Sequence, residues 1–257
     1  MTIPSKAPLP EEISLPIGYH SDFLKYGIRQ PVIIKPFAPP AVAICGASGS
    51  GKTFLETQLL ARLVRHKEFE VVLADFKGID FNWLSGCGHY YQHMQVGSAL
   101  DYVIDRMNER MANTQRTYYH PIFFVFDEYA AWLSLLDKKQ ADLAKQKLSS
   151  LLMLARGCGI TLILSMQRLD ASNFNSARDN IGHIIAMGNL SNEAKRMVCP
   201  DYKELLEPQP RGKGYLITSG GVPTPLTVPD VRDKERMKHR IYDALKSADE
   251  RFPIDIL

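Results

Sequence analysis

The 257-residue sequence predicts an α/β fold, a mainly parallel twisted sheet with helices on both faces that closes with a β-hairpin and a helix. Two observations predict this class. Short apolar runs alternate along the chain with longer segments of helical periodicity, and such alternation is typical of parallel sheets covered on both faces. The composition, 45% hydrophobic and 23% charged, is that of a folded domain and excludes a disordered or low-complexity chain.

The elements follow in order along the chain. Short apolar runs predict strands over 32–34, 41–45, 71–74, 121–126, 160–165 and 181–187. Apolar residues at helical spacing predict helices over 53–66, 98–118 and 138–155, with a short one over 192–197. A hairpin over 214–218 and 224–228 and a helix over 233–247 close the chain. We therefore divide the chain into a proline-rich arm (1–37), a central domain (38–230) and a C-terminal helix and tail (231–257).

Charge and cysteine usage limit the compartment and the partners. The net charge of +3 permits a nucleic-acid partner but does not by itself indicate one. No apolar run is long enough to span a bilayer, and no secretory leader is recognisable at the start. The four cysteines form no CxxC pair and lie in or beside apolar segments, which is typical of buried thiols in a reducing compartment. These observations predict a cytoplasmic protein.

A phosphate-binding loop is the strongest motif in the sequence. Residues 46–53 match GxxxxGK[ST] between a predicted strand and a predicted helix. In such a loop, backbone N–H groups and the positive end of the helix dipole bind phosphate oxygens. Lys52 would reach the β- and γ-phosphates, and Thr53 would hold Mg²⁺. The predicted nucleotide-binding residues are Gly46, Ala47, Ser48, Gly49, Ser50, Gly51, Lys52 and Thr53.

An acidic pair follows the strand over 121–126. Asp127 is placed to orient Mg²⁺ through the metal's water shell, and Glu128 to polarise an attacking water. A carboxylate beside the γ-phosphate suits hydrolysis, whereas simple nucleotide binding does not require it. The alternative is that the two acids cap a helix.

A third polar cluster ends the strand over 160–165. Strand C-termini of a parallel sheet converge on one edge, so Gln167 would lie near the γ-phosphate and sense it. Arg156 precedes the same strand and would therefore lie at the opposite edge, where it could reach a neighbouring subunit's nucleotide as an arginine finger. The alternative for Arg156 is a helix C-terminal cation that complements the dipole.

Together these residues resemble the FtsK/SpoIIIE branch of the HerA–FtsK superfamily of DNA-pumping ATPases. Phe76 stands where that family usually has proline, so the geometry of Lys77 stays open. The resemblance rests on five collinear motifs besides the phosphate loop and the acidic pair: 74–78, 107–110, 154–160, 165–168 and 212–216.

The resemblance implies a RecA-like P-loop NTPase that uses ATP and Mg²⁺ and assembles as a homo-hexameric ring around double-stranded DNA. It implies catalytic or sensing roles for Lys52, Glu128 and Gln167, a metal role for Thr53 and Asp127, and a trans finger at Arg156. The central domain would then be the motor. The segment 170–178 is a candidate pore loop with Asn175 and Arg178 as DNA contacts, or else a solvated connection.

The predicted function is an ATP-driven translocase of double-stranded DNA. A motor without membrane segments or a winged-helix module looks like one from a mobile element, such as a conjugation coupling ATPase, with a relaxase or a membrane complex as the partner that recruits it. The alternatives are a viral genome-packaging ATPase, a protein-secretion ATPase of the same superfamily, and a nucleotide switch without hydrolysis.

Overall fold

The computed structural model describes residues 13–39, 41–113, 119–219 and 221–252, which form a ten-stranded sheet with helices on both faces. The strands are β1 (Leu15–His20), β2 (Pro31–Ile34), β3 (Ala41–Cys45), β4 (Glu70–Asp75), β5 (Tyr90–Gln92), β6 (Ile122–Asp127), β7 (Ile160–Met166), β8 (His183–Met187), β9 (Lys213–Thr218) and β10 (Thr224–Thr227). The helices are α1 (Ser21–Leu24), α2 (Lys52–Leu63), α3 (Val96–Ala112), α4 (Tyr129–Leu135), α5 (Lys138–Leu154), α6 (Asn192–Val198), α7 (Lys234–Lys246) and α8 (Ala248–Arg251).

The sheet has a parallel part and an antiparallel part. Its strand order is β2-β1-β10-β9-β8-β3-β7-β6-β4-β5. The run from β8 to β5 is parallel, and the run from β8 through β9, β10 and β1 to β2 is antiparallel. The predicted mainly parallel α/β fold is therefore confirmed, and β3 lies inside the parallel part between β7 and β8.

Two hydrophobic cores cover the two faces of the sheet. Leucines of α2 pack on one face together with α7, which contributes Ile241 and Leu245. Apolar residues of α3, α4 and α5 pack on the other face, where the central strands supply Phe124, Phe126 and Leu164. Strands buried on both faces read as continuous apolar runs, which is why the sequence located the parallel strands so well.

The described part of the predicted arm, residues 13–37, contributes two strands to the edge of the sheet. β2 is the strand predicted over 32–34, and it pairs with β1, which was not predicted and which pairs in turn with β10. Ile17, Ile34 and Phe37 are buried in the same core as α2. The sequence did not predict β1 because Pro16 and Gly18 interrupt its apolar pattern. Residues 1–12 of the predicted arm and 253–257 of the predicted tail lie outside the described residues.

Smaller differences concern element ends. The helix predicted over 98–118 is α3, which ends at Ala112, and residues 114–118 lie outside the described part. The predictions did not include β5 or α4, which are three and seven residues long. Among the described residues, no helix combines the length and apolar character needed to cross a bilayer.

Candidate active site

The phosphate-loop motif connects β3 to α2, as the sequence predicts. Gly51 precedes the helix with φ of 103°, a left-handed conformation that residues with a Cβ rarely adopt. The loop is anchored on both sides. The N–H of Gly46 donates to the Gln167 carbonyl (3.2 Å), and the N–H of Gly212 donates to the Ser50 carbonyl (2.9 Å).

Lys52 lies folded into this loop. Its Nζ donates to the Gly46 carbonyl at 2.9 Å and lies 4.0 Å from Oε1 of Glu128. Both side chains are buried, so the ammonium and the carboxylate face each other away from bulk water. The structure therefore brings together the loop lysine and the second acid of the predicted pair.

Asp127 ends β6 in register with Asp75 of β4 on one side and Ser165 of β7 on the other. Burial raises the pKa of Asp127 to about 7, and the nearby carboxylates of Glu128 and Asp75 contribute to the shift. Thr53, the other predicted metal ligand, is half-buried at the start of α2. Its hydroxyl donates to Asp80 Oδ2 at 3.2 Å. Asp80 was not predicted as part of the site.

Glu128 has an unusual backbone. Its φ of 59° and ψ of 40° place a residue with a Cβ in the left-handed region, and its N–H donates to the Ser165 carbonyl at 2.9 Å. Such conformations cost of order 1–3 kcal/mol and cluster at functional sites. The residue N-caps α4 without a side-chain hydrogen bond, so its carboxylate is not used to cap the helix. This result removes the capping alternative for Glu128.

Lys77 is the closest cation to that carboxylate. Its Nζ donates to Oε1 of Glu128 at 2.7 Å. Burial alone would lower the pKa of Lys77, but the ion pair with Glu128 outweighs it and raises the pKa. The sequence marked Lys77 only as part of a family motif and gave no sign of its partner.

Glu56 is another residue near the loop that the sequence did not predict. It lies in α2 with no exposed surface, and neither carboxylate oxygen accepts a hydrogen bond from a described residue. Burial, with the nearby Asp127, raises its pKa well above the ordinary value. A signal was present in the sequence: Glu56 lies three and four residues before Leu59 and Leu60, on the apolar face of the helix.

Arg156 lies at the other edge of the sheet, in the turn before β7. It is exposed, and its side chain forms no ion pair or hydrogen bond with a described residue, while its carbonyl accepts from the Gly159 N–H at 3.2 Å. Arg110 supports the turn, because its Nη1 donates to the Cys158 carbonyl at 2.7 Å. Within one chain, Arg156 is thus separate from the phosphate loop, as its place in the sequence predicts.

The candidate DNA contacts lie in the connection after β7. Asn175 is exposed with φ of 49°, and Nε of Arg178 is 3.8 Å from the Asp179 carboxylate. Phe174 anchors the connection, since it is fully buried and its carbonyl accepts from Ser149 Oγ at 2.9 Å. The DNA role of Asn175 and Arg178 stays a prediction.

Comparison with known proteins agrees with this geometry. The family model described as "Poxvirus A32 protein" matches residues 29–205, which include the phosphate loop, the acidic pair and Gln167. The chain belongs to the Poxvirus A32 protein family. This A32-family chain is also 30% identical over 199 residues to the FtsK domain-containing protein YdcQ of Bacillus subtilis, a match that covers 71% of the chain and 41% of YdcQ. The resemblance to FtsK-type ATPases is thereby confirmed.

Solved structures share the fold of the A32-family chain. The pCW3 conjugation coupling protein TcpA, in a monomer form with ATPγS, matches with a TM-score of 0.69 at 20% identity and covers 93% of this chain and 73% of its own. The cytoplasmic domain of the Type VII secretion ATPase EccC of Thermomonospora curvata matches with a TM-score of 0.64 at 22% identity, over 93% of this chain and 32% of its own. At these identities the likeness establishes a shared P-loop ATPase fold.

Proposed function

We propose that this A32-family chain is an ATP-hydrolysing motor that translocates double-stranded DNA. The observation that carries the proposal is the placement of Glu128. It is a buried carboxylate on a left-handed backbone, 4.0 Å from the phosphate-loop lysine. A protein that only bound nucleotide would have no use for a strained, buried base beside its phosphate loop.

The phosphate loop would bind the triphosphate. Backbone N–H groups of residues 46–53 and the start of α2 would hold the phosphate oxygens. Lys52 would exchange the Gly46 carbonyl for the β- and γ-phosphates. Gln167 lies beside the loop, because its backbone carbonyl accepts a hydrogen bond from the Gly46 N–H. This position suits the predicted sensing of the γ-phosphate.

The donor set also fits Mg²⁺. Thr53 supplies a hydroxyl and Asp127 a carboxylate, both oxygen ligands of the kind that Mg²⁺ prefers. Asp127 lies between the carboxylates of Asp75 and Glu128, a concentration of negative charge that a divalent cation would offset. When bound, the metal supplies neutralisation of the phosphate charge. Asp127 would orient it through water.

Glu128 would act as the general base. It would accept a proton from a water whose oxygen attacks the γ-phosphorus, while the bond to the β–γ bridging oxygen breaks and leaves ADP. The products are ADP and inorganic phosphate. In the folded chain the carboxylate of Glu128 is already next to the loop, so little rearrangement is needed before the reaction.

The macromolecular substrate is proposed from the motifs and the family. The five collinear motifs resemble DNA-pumping ATPases, and TcpA is named a conjugation coupling protein. We therefore favour a conjugative role for a homo-hexameric ring in the cytoplasm, recruited by a relaxase or a membrane complex. EccC is named a secretion ATPase, so transport of a polypeptide is the second candidate. Packaging of a viral genome is a third.

The test is ATP turnover by the purified chain with and without duplex DNA. We expect duplex to stimulate turnover and Lys52→Ala to abolish it, while Lys25→Ala, which removes an exposed lysine paired with Asp22, leaves it unchanged. Stimulation by a polypeptide with indifference to DNA would favour secretion. No turnover with duplex at any protein concentration would refute the motor.

A further inference from the structure

Lys77 is held in place by the segment that follows β4. Asp75 is fully buried and binds this segment, since Oδ1 accepts from the Gly78 N–H (2.9 Å) and Oδ2 accepts from the Phe81 N–H (3.3 Å) and the Tyr90 hydroxyl (3.0 Å). A carboxylate that accepts two backbone N–H groups fixes the turn between them. Lys77 therefore leaves the sheet in a defined direction.

Gly78 and His93 close the same turn. Gly78 has φ of 63°, and a Cβ at this position would lie 2.3 Å from Cε1 of the His93 ring. Only glycine fits between the turn and that ring. The backbone around Lys77 is thus fixed by a buried carboxylate on one side and by an aromatic ring on the other.

The two carboxylate oxygens of Glu128 have different surroundings. Oε1 accepts the Lys77 ammonium at 2.7 Å and faces Lys52 at 4.0 Å. Oε2 accepts no hydrogen bond from a described residue, and it is not among the fully enclosed unpaired atoms that include both oxygens of Glu56. Oε1 is therefore held by Lys77, and Oε2 is without a hydrogen-bond partner among the described residues.

The positive charge of Lys77 is needed to balance the Glu128 carboxylate. Among the described residues, two ammonium groups, those of Lys52 and Lys77, lie within 4.0 Å of the Glu128 carboxylate. In the proposed reaction Lys52 turns to the phosphates, so Lys77 becomes the cation that remains for Glu128. Four buried carboxylates lie near the loop, and these are Glu56, Asp75, Asp127 and Glu128.

We propose that Lys77 is a positioning residue for hydrolysis, which holds Oε1 of Glu128 so that Oε2 receives the proton of the attacking water. This inference rests on the proposed ATPase function and adds to it a residue that never touches the nucleotide. Lys77 acts through Glu128 alone, so its loss slows the chemical step and leaves nucleotide binding intact.

The first experiment compares Lys77→Met and Lys77→Arg. We expect Lys77→Met to lower kcat about 10- to 100-fold, the usual effect of losing a partner that orients a reactive group. The Kd for a fluorescent ATP analogue should stay within about twofold, and Lys77→Arg should restore most of kcat because it retains the charge. The matched control is Lys238→Met, since Lys238 is 41% exposed and paired with Glu235, while Lys77 is 39% exposed.

A double-mutant cycle with Glu128→Gln provides the decisive comparison. If Lys77 acts through Glu128, the double variant Lys77→Met/Glu128→Gln turns over no more slowly than Glu128→Gln alone. Additive losses, an unchanged kcat or a raised kcat in Lys77→Met would each overturn the inference, as would a loss confined to nucleotide affinity. A parent protein without any ATP turnover would instead refute the ATPase function itself, so the two failures are distinguishable.

Discussion

Buried carboxylates are bonded differently at the two edges of the parallel sheet, the amino edge where the strands begin and the carboxyl edge where they end. At the amino edge, Glu70 begins β4 with no exposed surface, and its carboxylate is bound by Tyr102 and by His120 at 2.8 Å, with Arg106 at 3.9 Å. At the carboxyl edge, Glu56 is equally buried and neither oxygen has a hydrogen-bond partner among the described residues. The amino edge satisfies Glu70 completely, whereas the carboxyl edge leaves Glu56 without a partner in the described part of the chain, although Asp75 at the same edge accepts three hydrogen bonds.

The pKa values follow the same division. Burial alone would raise the pKa of Glu70, but the hydrogen bonds from His120 and Tyr102 outweigh it and lower the pKa. At the other edge burial dominates, and the pKa of Asp127 rises to about 7. Buried acids with raised pKa values cluster at functional sites, so Glu56 and Asp127 beside the phosphate loop indicate a site built for a ligand, whereas the Glu70 cluster is structural.

The largest effect is expected where the amino edge of one subunit meets the carboxyl edge of its neighbour. If Arg156 at the amino edge completes a neighbour's site, Arg156→Ala lowers DNA-stimulated turnover by roughly 10³-fold or more. Mixing Arg156→Ala with Lys52→Ala subunits should restore partial turnover, because some interfaces then hold one intact loop and one intact arginine. Exposed Arg236 of α7 provides the control, since Arg236→Ala should match the parent. No recovery in assembled mixed rings would return Arg156 to a helix-capping role.

The next effect concerns stability. Glu70→Gln removes the charge from a fully hydrogen-bonded buried network and should cost about 3 kcal/mol of unfolding free energy. Glu56→Gln removes an unpaired buried acid and should change stability by less than about 1 kcal/mol, because no hydrogen bond is lost. Urea unfolding of both variants measures the difference. Equal losses of unfolding free energy would show that Glu70 and Glu56 contribute equally to stability, which contradicts the comparison.

The smallest effect is the pH dependence of stability, which has opposite signs for Asp127 and Glu70. Asp127 is protonated to higher pH in the folded chain than its ordinary value of 3.8, so its contribution to stability is present at low pH and is lost as pH rises from about 4 to about 7. Asp127→Asn should therefore gain stability relative to the parent over that interval. Glu70 has a lowered pKa, so its contribution is full above its ordinary 4.5 and is lost as pH falls.

Thermal unfolding of the nucleotide-free protein across that pH range checks the two signs. The difference in midpoint between parent and Asp127→Asn should change with pH, and the corresponding difference for Glu70→Gln should shrink towards acid. A pH-independent difference for Asp127→Asn would contradict the burial argument at the carboxyl edge.

Sequence patterns predicted five of the six parallel strands and three of the four strands of the antiparallel part, and they missed β5 and β1. Buried parallel strands such as 41–45 and 160–165 are continuous apolar runs, which are readily recognised. β1, which lies between β2 and β10, contains Pro16 and Gly18, so its pairing depends on distant residues rather than on local pattern. β5 has three residues, too few for any periodicity.

The site was predictable where chemistry follows a local motif and not where it depends on contacts across the sheet. The loop over 46–53 and the acids after β6 are local patterns, and in the fold Nζ of Lys52 lies 4.0 Å from Oε1 of Glu128. The Lys77–Glu128 pair joins residues from neighbouring strand ends, so only the register of β4 and β6 reveals it. The absence of hydrogen-bond partners for Glu56 likewise depends on what packs against α2.

The bond between Gly212 and the Ser50 carbonyl joins two distant parts of the chain mechanically. Gly212 begins the hairpin, and its own carbonyl accepts from the Val228 N–H at 2.9 Å, just past β10. A change in the phosphate loop that displaces the Ser50 carbonyl must therefore either move Gly212 with it or break this hydrogen bond. The antiparallel strands are thus connected to the phosphate loop by two successive hydrogen bonds at Gly212.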